Sequence, residues 1–153
     1  IPNNLYGIKD NFDLENSHVI PAIIRKIYEG KSKGKKVILW GSGISLREFT
    51  YSKDIAKILL KLIEDCDNIV APINIGKTGE YTIKKVAQMI CDIFEYDFNK
   101  IEWDLSKPEG QHRKPSSNNL FRRLYPGFEY TELKEGLEET CSWFKKEYPN
   151  VRL

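Results

Sequence analysis

A chain of 153 residues, 41% hydrophobic and 30% charged, is long enough for one packed core and too short for two ordinary domains. Its 24 basic and 22 acidic residues nearly cancel to a net charge of +2, so a nucleic-acid surface of clustered cations interleaved with stacking aromatics is not indicated. No apolar run reaches the roughly 20 residues that span a bilayer, and the opening IPNNLYGIKD lacks the basic start and apolar middle of a signal peptide; a cytoplasmic location is expected from the three cysteines, whose odd number and wide spacing suit a reducing compartment.

The first amphipathic segment, SHVIPAIIRKIYEG, places Ile20, Ile23, Ile24 and Ile27 on one helical stripe, with Asn16 or Ser17 as N-cap, Pro21 in the first turn and Gly30 as the stop. KKVILW, Lys35 to Trp40, reads as a strand. The glycines of the following WGSGISLREF invite comparison with a phosphate-binding loop, which needs a helix to begin directly after it. Here the next helical spacing, Ile55, Ile58, Leu59, Leu62 and Ile63, starts only near Ser52 or Asp54. The third glycine of a dinucleotide fingerprint and the Gly-Lys-Ser/Thr of a P-loop are both missing. A tight turn on Gly41 and Gly43, followed by a loop that carries Arg47, is the expectation.

PINIG, Pro72 to Gly76, reads as a short strand, and a third helix is predicted from Thr82 as N-cap through Ile83, Val86, Ala87, Ile90 and Phe94. KIEWD, Lys100 to Asp104, is another strand. It runs into the long polar stretch DLSKPEGQHRKPSSNN, a composition typical of binding loops and of plain surface connections alike. A last helix from Thr131 turns Leu133, Leu137, Cys141 and Phe144 inward and stops at Pro149. Strands alternating with helices predict an α/β fold with open sheets. The three cysteines, Cys66, Cys91 and Cys141, are odd in number and widely spaced, which speaks against a disulfide framework or a metal site and for structural thiols.

Three blocks carry a resemblance: NNLYG with DNFDLENSHVIPAIIRK, VILWGSGISLREFTYSKDIA, and INIGKTGEYTIKKVAQMI with DLSKPEGQHRK. In that order, nearly the whole chain resembles the C-terminal half of the GDP-L-fucose synthases, epimerase/reductases of the extended short-chain dehydrogenase/reductase superfamily. The resemblance implies an α/β substrate-binding part with remnants of a Rossmann sheet. Residues 1–153 would then form the substrate-binding half of a nucleotide-sugar enzyme. The family's glycine-rich NADP fingerprint and its Tyr-x-x-x-Lys pair are absent from this chain, which begins on Ile-Pro without an initiator Met and reads as part of something longer. Alone, it is not expected to reduce anything.

The family reaction epimerises a GDP-4-keto-6-deoxy-hexose at C3 and C5 and then reduces the C4 ketone with NADPH. By resemblance, His18 is the catalytic acid, Lys26, Trp40, Arg47 and Glu109 contact the substrate, and Pro2, Asn3, Asn4, Leu5 and His18 adjoin the NADP(H) cofactor, the first four as the turn after a strand remnant. Blind to the resemblance, His18 would read as a cap residue, Trp40 as core at a strand end and Arg47 as a surface partner of Glu48 or Asp54. Arginine suits a phosphate because its planar fork donates two parallel hydrogen bonds; lysine at position 26 keeps the charge without the fork. Glu109 stands where relatives usually have aspartate, so its carboxylate reaches one methylene further. His112 matches no catalytic position. No metal is implied, and a homodimer of the longer chain is. Two other readings stand beside this one: a GDP-heptose epimerase or C4-reductase for bacterial capsule or lipopolysaccharide, and a non-catalytic nucleotide-sugar binding module.

Overall fold

The computed structural model describes residues 1–65 and 71–153; Cys66 lies outside them. The elements follow in the order β1 (Asn4–Tyr6), α1 (Val19–Lys33), β2 (Val37–Trp40), β3 (Leu46–Tyr51), α2 (Ser52–Glu64), β4 (Glu80–Thr82), α3 (Ile83–Phe94), a 3-10 turn (Phe98–Lys100), β5 (Ile101–Asp104), α4 (Asn119–Leu124) and α5 (Leu133–Glu147). They build two small sheets, as expected of an α/β fold. In one, β3 lies between β1, which it pairs in parallel with Asn4 opposite Phe49, and β4, which it pairs antiparallel with Glu48 opposite Glu80. In the other, β2 and β5 run parallel with Val37 opposite Ile101 and Trp40 opposite Asp104. Parallel neighbours need long crossovers; the β2-to-β5 crossover consists of β3, α2, β4 and α3, so the two sheets are interleaved in sequence.

The isoleucine stripe of α1 is buried as its spacing predicts and packs with Val86 and Ile90 of α3 and with Leu137 and Phe144 of α5. Cys91 and Cys141 lie in this core, and burial pushes the Cys91 thiol up to about 12. Close packing of α5 on β1 depends on Gly136, where an added Cβ would lie 2.1 Å from the Tyr6 hydroxyl. Thr82 caps α3 as predicted, its hydroxyl accepting from the Lys85 N–H at 3.1 Å.

Six expectations are corrected. The N-cap of α1 is His18, not Asn16 or Ser17, because Asp13 Oδ1 holds residues 13–16 in a turn by accepting from the Glu15 and Asn16 N–H groups. Gly30 is buried inside the helix and Gly34, in the left-handed region at φ 63°, ends it. The segment of Arg47 is strand β3 rather than a loop, and Asn4 and Leu5 are part of β1 rather than a turn. PINIG forms a single bridge, Ile75 to Pro2, instead of a strand. In α2 only Ile55 and Ile58 of the predicted face are buried, while Leu59 and Ile63 are 48% and 69% exposed; spacing marks an apolar face without supplying what covers it.

The buried Glu29 of α1 gathers Lys35 at 2.6 Å, Arg25 at 3.3 Å, Lys33 at 3.5 Å and the Tyr148 hydroxyl at 2.6 Å. Burial alone would raise its carboxyl, but hydrogen bonds from Lys35, Tyr148 and Arg25 outweigh it and hold the pKa at about 2. A carboxyl depressed by folding stabilises above its unfolded pKa and loses that contribution as pH falls through the folded value. Discounted for its exposed lysine partners, the effect is about 1–2 kcal/mol. Urea unfolding of wild type and Glu29→Gln should therefore differ by that amount at pH 7 and converge toward pH 2.

Candidate functional site

A cleft of about 280 Å³ opens between the first half of α1, the end of β2, the turn after it, the start of β3 and the polar loop beyond β5. Lys26, Trp40, Arg47 and Glu109 all line it. These four residues are spread over more than half the chain, and the fold brings them to one place.

Trp40 ends β2, where alternation buries Val37 and Leu39 and turns Ile38 and Trp40 outward, leaving Trp40 54% exposed rather than in the core. The Lys26 and Lys107 ammonium groups stand 5.6 and 5.5 Å from its ring centroid, within cation–π range. Lys26 also donates to the Ile38 carbonyl at 2.9 Å, and partial burial lowers its pKa. Lys107 was not singled out from sequence; its place in the polar loop gives no periodic signal.

The turn after Trp40 is tight, with Gly41 and Gly43 at φ 72° and 73°. A Cβ on Gly43 would lie 2.4 Å from the Trp103 ring. Its polar backbone is already engaged: the Gly41 N–H donates to the Asp104 carbonyl, the Gly43 carbonyl accepts from Lys84, and the Ser42 N–H donates to the Glu109 carboxylate. That occupancy agrees with a turn and leaves little for a phosphate cradle. The contacts from Ser42 hold the Glu109 carboxyl below its ordinary range.

Arg47 lies on β3, its guanidinium donating to the Leu46 carbonyl at 2.7 Å. Among the described residues it forms no ion pair, so the surface-pair alternative with Glu48 or Asp54 is not realised. The polar loop is strapped across β3 and β4. The Leu46 N–H donates to the His112 carbonyl at 2.8 Å, Arg113 pairs with Glu80 at 2.6 Å, and the Ser116 N–H donates to buried Glu48 at 3.0 Å. Sequence reasoning missed Glu48 and Arg113, whose partners lie far away along the chain. His112 is an exposed loop residue, as expected.

His18 occupies the N-cap position without a side-chain capping bond and is exposed. Ser17 and Val19 on either side line the cleft, whereas His18 itself does not. It lies close enough to Asp10 to stabilise that carboxylate, against the larger opposing effect of burial, which raises the Asp10 pKa.

Pro2, Asn3, Asn4 and Leu5 sit elsewhere. The Asn3 amide donates to the Lys77 carbonyl at 3.0 Å and accepts from Thr50 at 2.6 Å, and Asn4 donates to the Glu48 carbonyl at 2.8 Å. Pro2 and Leu5 line a separate apolar groove with Ile55, Leu59, Ile73 and Ile75. Among the described residues no group of three or more His, Cys, Asp or Glu side chains is placed to hold a metal, and no helix is long and apolar enough to cross a membrane.

Residues 1–76 match the NAD dependent epimerase/dehydratase family. The chain is 38% identical over 146 residues to a probable GDP-L-fucose synthase 1 of Oryza sativa subsp. japonica, covering 94% of this chain and 43% of the relative. It is 37% identical over 151 residues to a GDP-L-colitose synthase of Yersinia pseudotuberculosis, with 98% and 48% covered. The solved structure of a GDP-L-fucose synthetase from Naegleria fowleri bound to NADP superposes with a TM-score of 0.93 at 38% identity, over 100% of this chain and 48% of that one. The chain thus spans less than half the length of these relatives. Sequence and fold agree in likening the chain to the NAD dependent epimerase/dehydratase family over residues 1–76 and to these relatives over nearly its whole length.

Proposed function

We propose that this chain is the substrate-binding half of an NADPH-dependent GDP-sugar 3,5-epimerase/4-reductase. The observation that carries this reading is the convergence of Lys26, Trp40, Arg47 and Glu109 on one cleft. Each offers chemistry a nucleotide sugar needs. Trp40 presents an exposed aromatic face for a base or sugar, Arg47 has no carboxylate partner among the described residues and can turn its fork onto a phosphate, Lys26 adds a second cation, and Glu109 accepts from a hydroxyl. His18, at the rim beside lining residues, is the proton donor for epimerisation.

The apolar groove of Pro2, Leu5, Ile55 and Leu59, with Leu60 and Ile63 exposed nearby on α2, supports a half that packs against further protein, as the relatives' greater length also does. Toward the cofactor, this chain offers only part of a site. Its Asn3 and Asn4 amides are committed within the chain, so Pro2 and Leu5 would contribute apolar contact along the nicotinamide. When bound, NADPH supplies the hydride that reduces the C4 ketone. The glycine-rich fingerprint that would hold its phosphates is absent from this sequence, and a homodimer of the longer chain belongs to the same reading.

Replacing Arg47 with Ala tests the binding role. Loss of a charge-assisted contact pair should weaken GDP about 10- to 100-fold by calorimetry on the full-length protein. An Arg47→Ala protein that binds GDP as tightly as wild type would remove the phosphate assignment.

A further inference from the structure

A second groove adjoins the cleft and shares Leu14, Lys26 and Trp40 with it. Ser17 and Val19, the neighbours of His18, line the cleft but not this groove, and about 12 Å of helix rise separates His18 from Lys26 along α1. A ligand whose reacting sugar lies by His18 and whose phosphates lie by Arg47 and Lys26 has its other end, the base, directed past Trp40 into this second groove.

The surface met there is set by the pairing of β2 with β5. Trp40 stands opposite Asp104 and Ile38 opposite Glu102 in the parallel register, and residues paired in register point to the same side of a sheet. Val37, Leu39 and Ile101 are buried while Ile38, Trp40 and Glu102 are exposed, which puts Asp104 with Trp40 on the outward face, where both line the groove. The neighbouring charges are already matched: Lys35 holds Glu29 at 2.6 Å and Lys36 holds Glu102 at 2.7 Å. Asp104 forms no ion pair among the described residues. Its Oδ1 accepts from the Ser106 N–H at 3.0 Å and from the Ser106 hydroxyl at 2.6 Å, and its Oδ2 accepts from no group among the described residues. The bonds from Ser106 also hold the Asp104 carboxyl below its ordinary range, so it is ionised at neutral pH.

A carboxylate only accepts, and it repels phosphate, so beside an aromatic face it suits a neutral ring with donors on its edge. Guanine carries two such donors side by side, the N1–H and the N2 amine. Adenine has an acceptor at N1 and no polar group at C2. We infer that Asp104 reads the base of the nucleotide: the guanine ring lies on Trp40 and its N1–H and N2 edge donates to the Asp104 carboxylate. This rests on the reading of the cleft as a GDP-sugar site. It adds where the base sits and which residue selects guanine.

Calorimetric titration of the full-length protein and its Asp104→Ala and Asp104→Asn variants with GDP, inosine diphosphate, ADP and xanthosine diphosphate tests this. Wild type should bind GDP about 5- to 50-fold more tightly than ADP, and also more tightly than inosine diphosphate, which lacks the N2 amine. Asp104→Ala should remove most of that preference by weakening GDP, with ADP changed less than about twofold. Asparagine keeps the oxygen that the Ser106 N–H needs and puts an amide donor in place of Oδ2, so Asp104→Asn should come to prefer xanthosine diphosphate, whose C2 oxygen accepts. Wild type that binds ADP as tightly as GDP, or Asp104 variants that leave the ratios of GDP to ADP and to xanthosine diphosphate unchanged, would overturn the inference while leaving the cleft a nucleotide site. Wild type that binds none of these diphosphates would overturn the GDP-sugar reading, and the base assignment with it.

Discussion

His18→Asn in the full-length protein is expected to slow proton exchange at C3 and C5 of a GDP-4-keto-6-deoxy-hexose about 10²- to 10⁴-fold, the usual worth of a positioned acid or base. Asparagine keeps a polar group of similar size at the N-cap of α1, where His18 makes no capping bond of its own, so helix stability should change little. Reduction of an already epimerised ketone by NADPH should be affected far less, since that step needs hydride delivery rather than proton return on the sugar carbons. Following deuterium incorporation and NADPH oxidation separately distinguishes the steps. Equal losses in both would assign His18 to binding or to structure.

Asp54→Ala should be the most damaging single change to stability, costing about 2–4 kcal/mol. Asp54 is 1% exposed in the first turn of α2, and its carboxylate accepts from the Thr131 N–H at 2.7 Å and the Thr131 hydroxyl at 2.9 Å, with Lys57 at 3.5 Å. It ties the start of α2 to the segment that enters α5, and it also complements the positive end of the α2 dipole. Alanine leaves the Thr131 donors unpaired in a buried site. Asp54→Asn keeps one acceptor and should cost less. Urea unfolding would check both, and a loss below about 1 kcal/mol for Asp54→Ala would show that water replaces the carboxylate there.

Periodicity was a sufficient guide wherever one face of an element is buried by its own neighbours. The stripes of α1, α3 and α5 and the alternation of β2 lie in such places. It failed for β3 because Arg47 and Glu48 look like loop residues locally, whereas Glu48 is buried by bonds from Ser116, far along the chain. β4 has three residues and exists only through pairing with β3. α4, with six residues, carries too few turns for a periodic signal. The apolar face of α2 was legible as a face but not as an uncovered one.

The candidate site divides the same way. The outward side of Trp40 follows from Val37 and Leu39 being inward, and the turn at Gly41 and Gly43 follows from the lateness of α2. That Lys26, Arg47 and Glu109 meet Trp40 in one cleft came from family resemblance, since no local pattern links them.

The measurement that bears most directly on the function is turnover of GDP-4-keto-6-deoxymannose by the full-length protein, with NADPH oxidation and sugar product followed together. Oxidation coupled to formation of GDP-L-fucose or a C4-reduced relative is the expected result. Tight binding of GDP-sugars with no NADPH oxidation on that ketone or on a GDP-4-keto-heptose would contradict it and leave a nucleotide-sugar binding module.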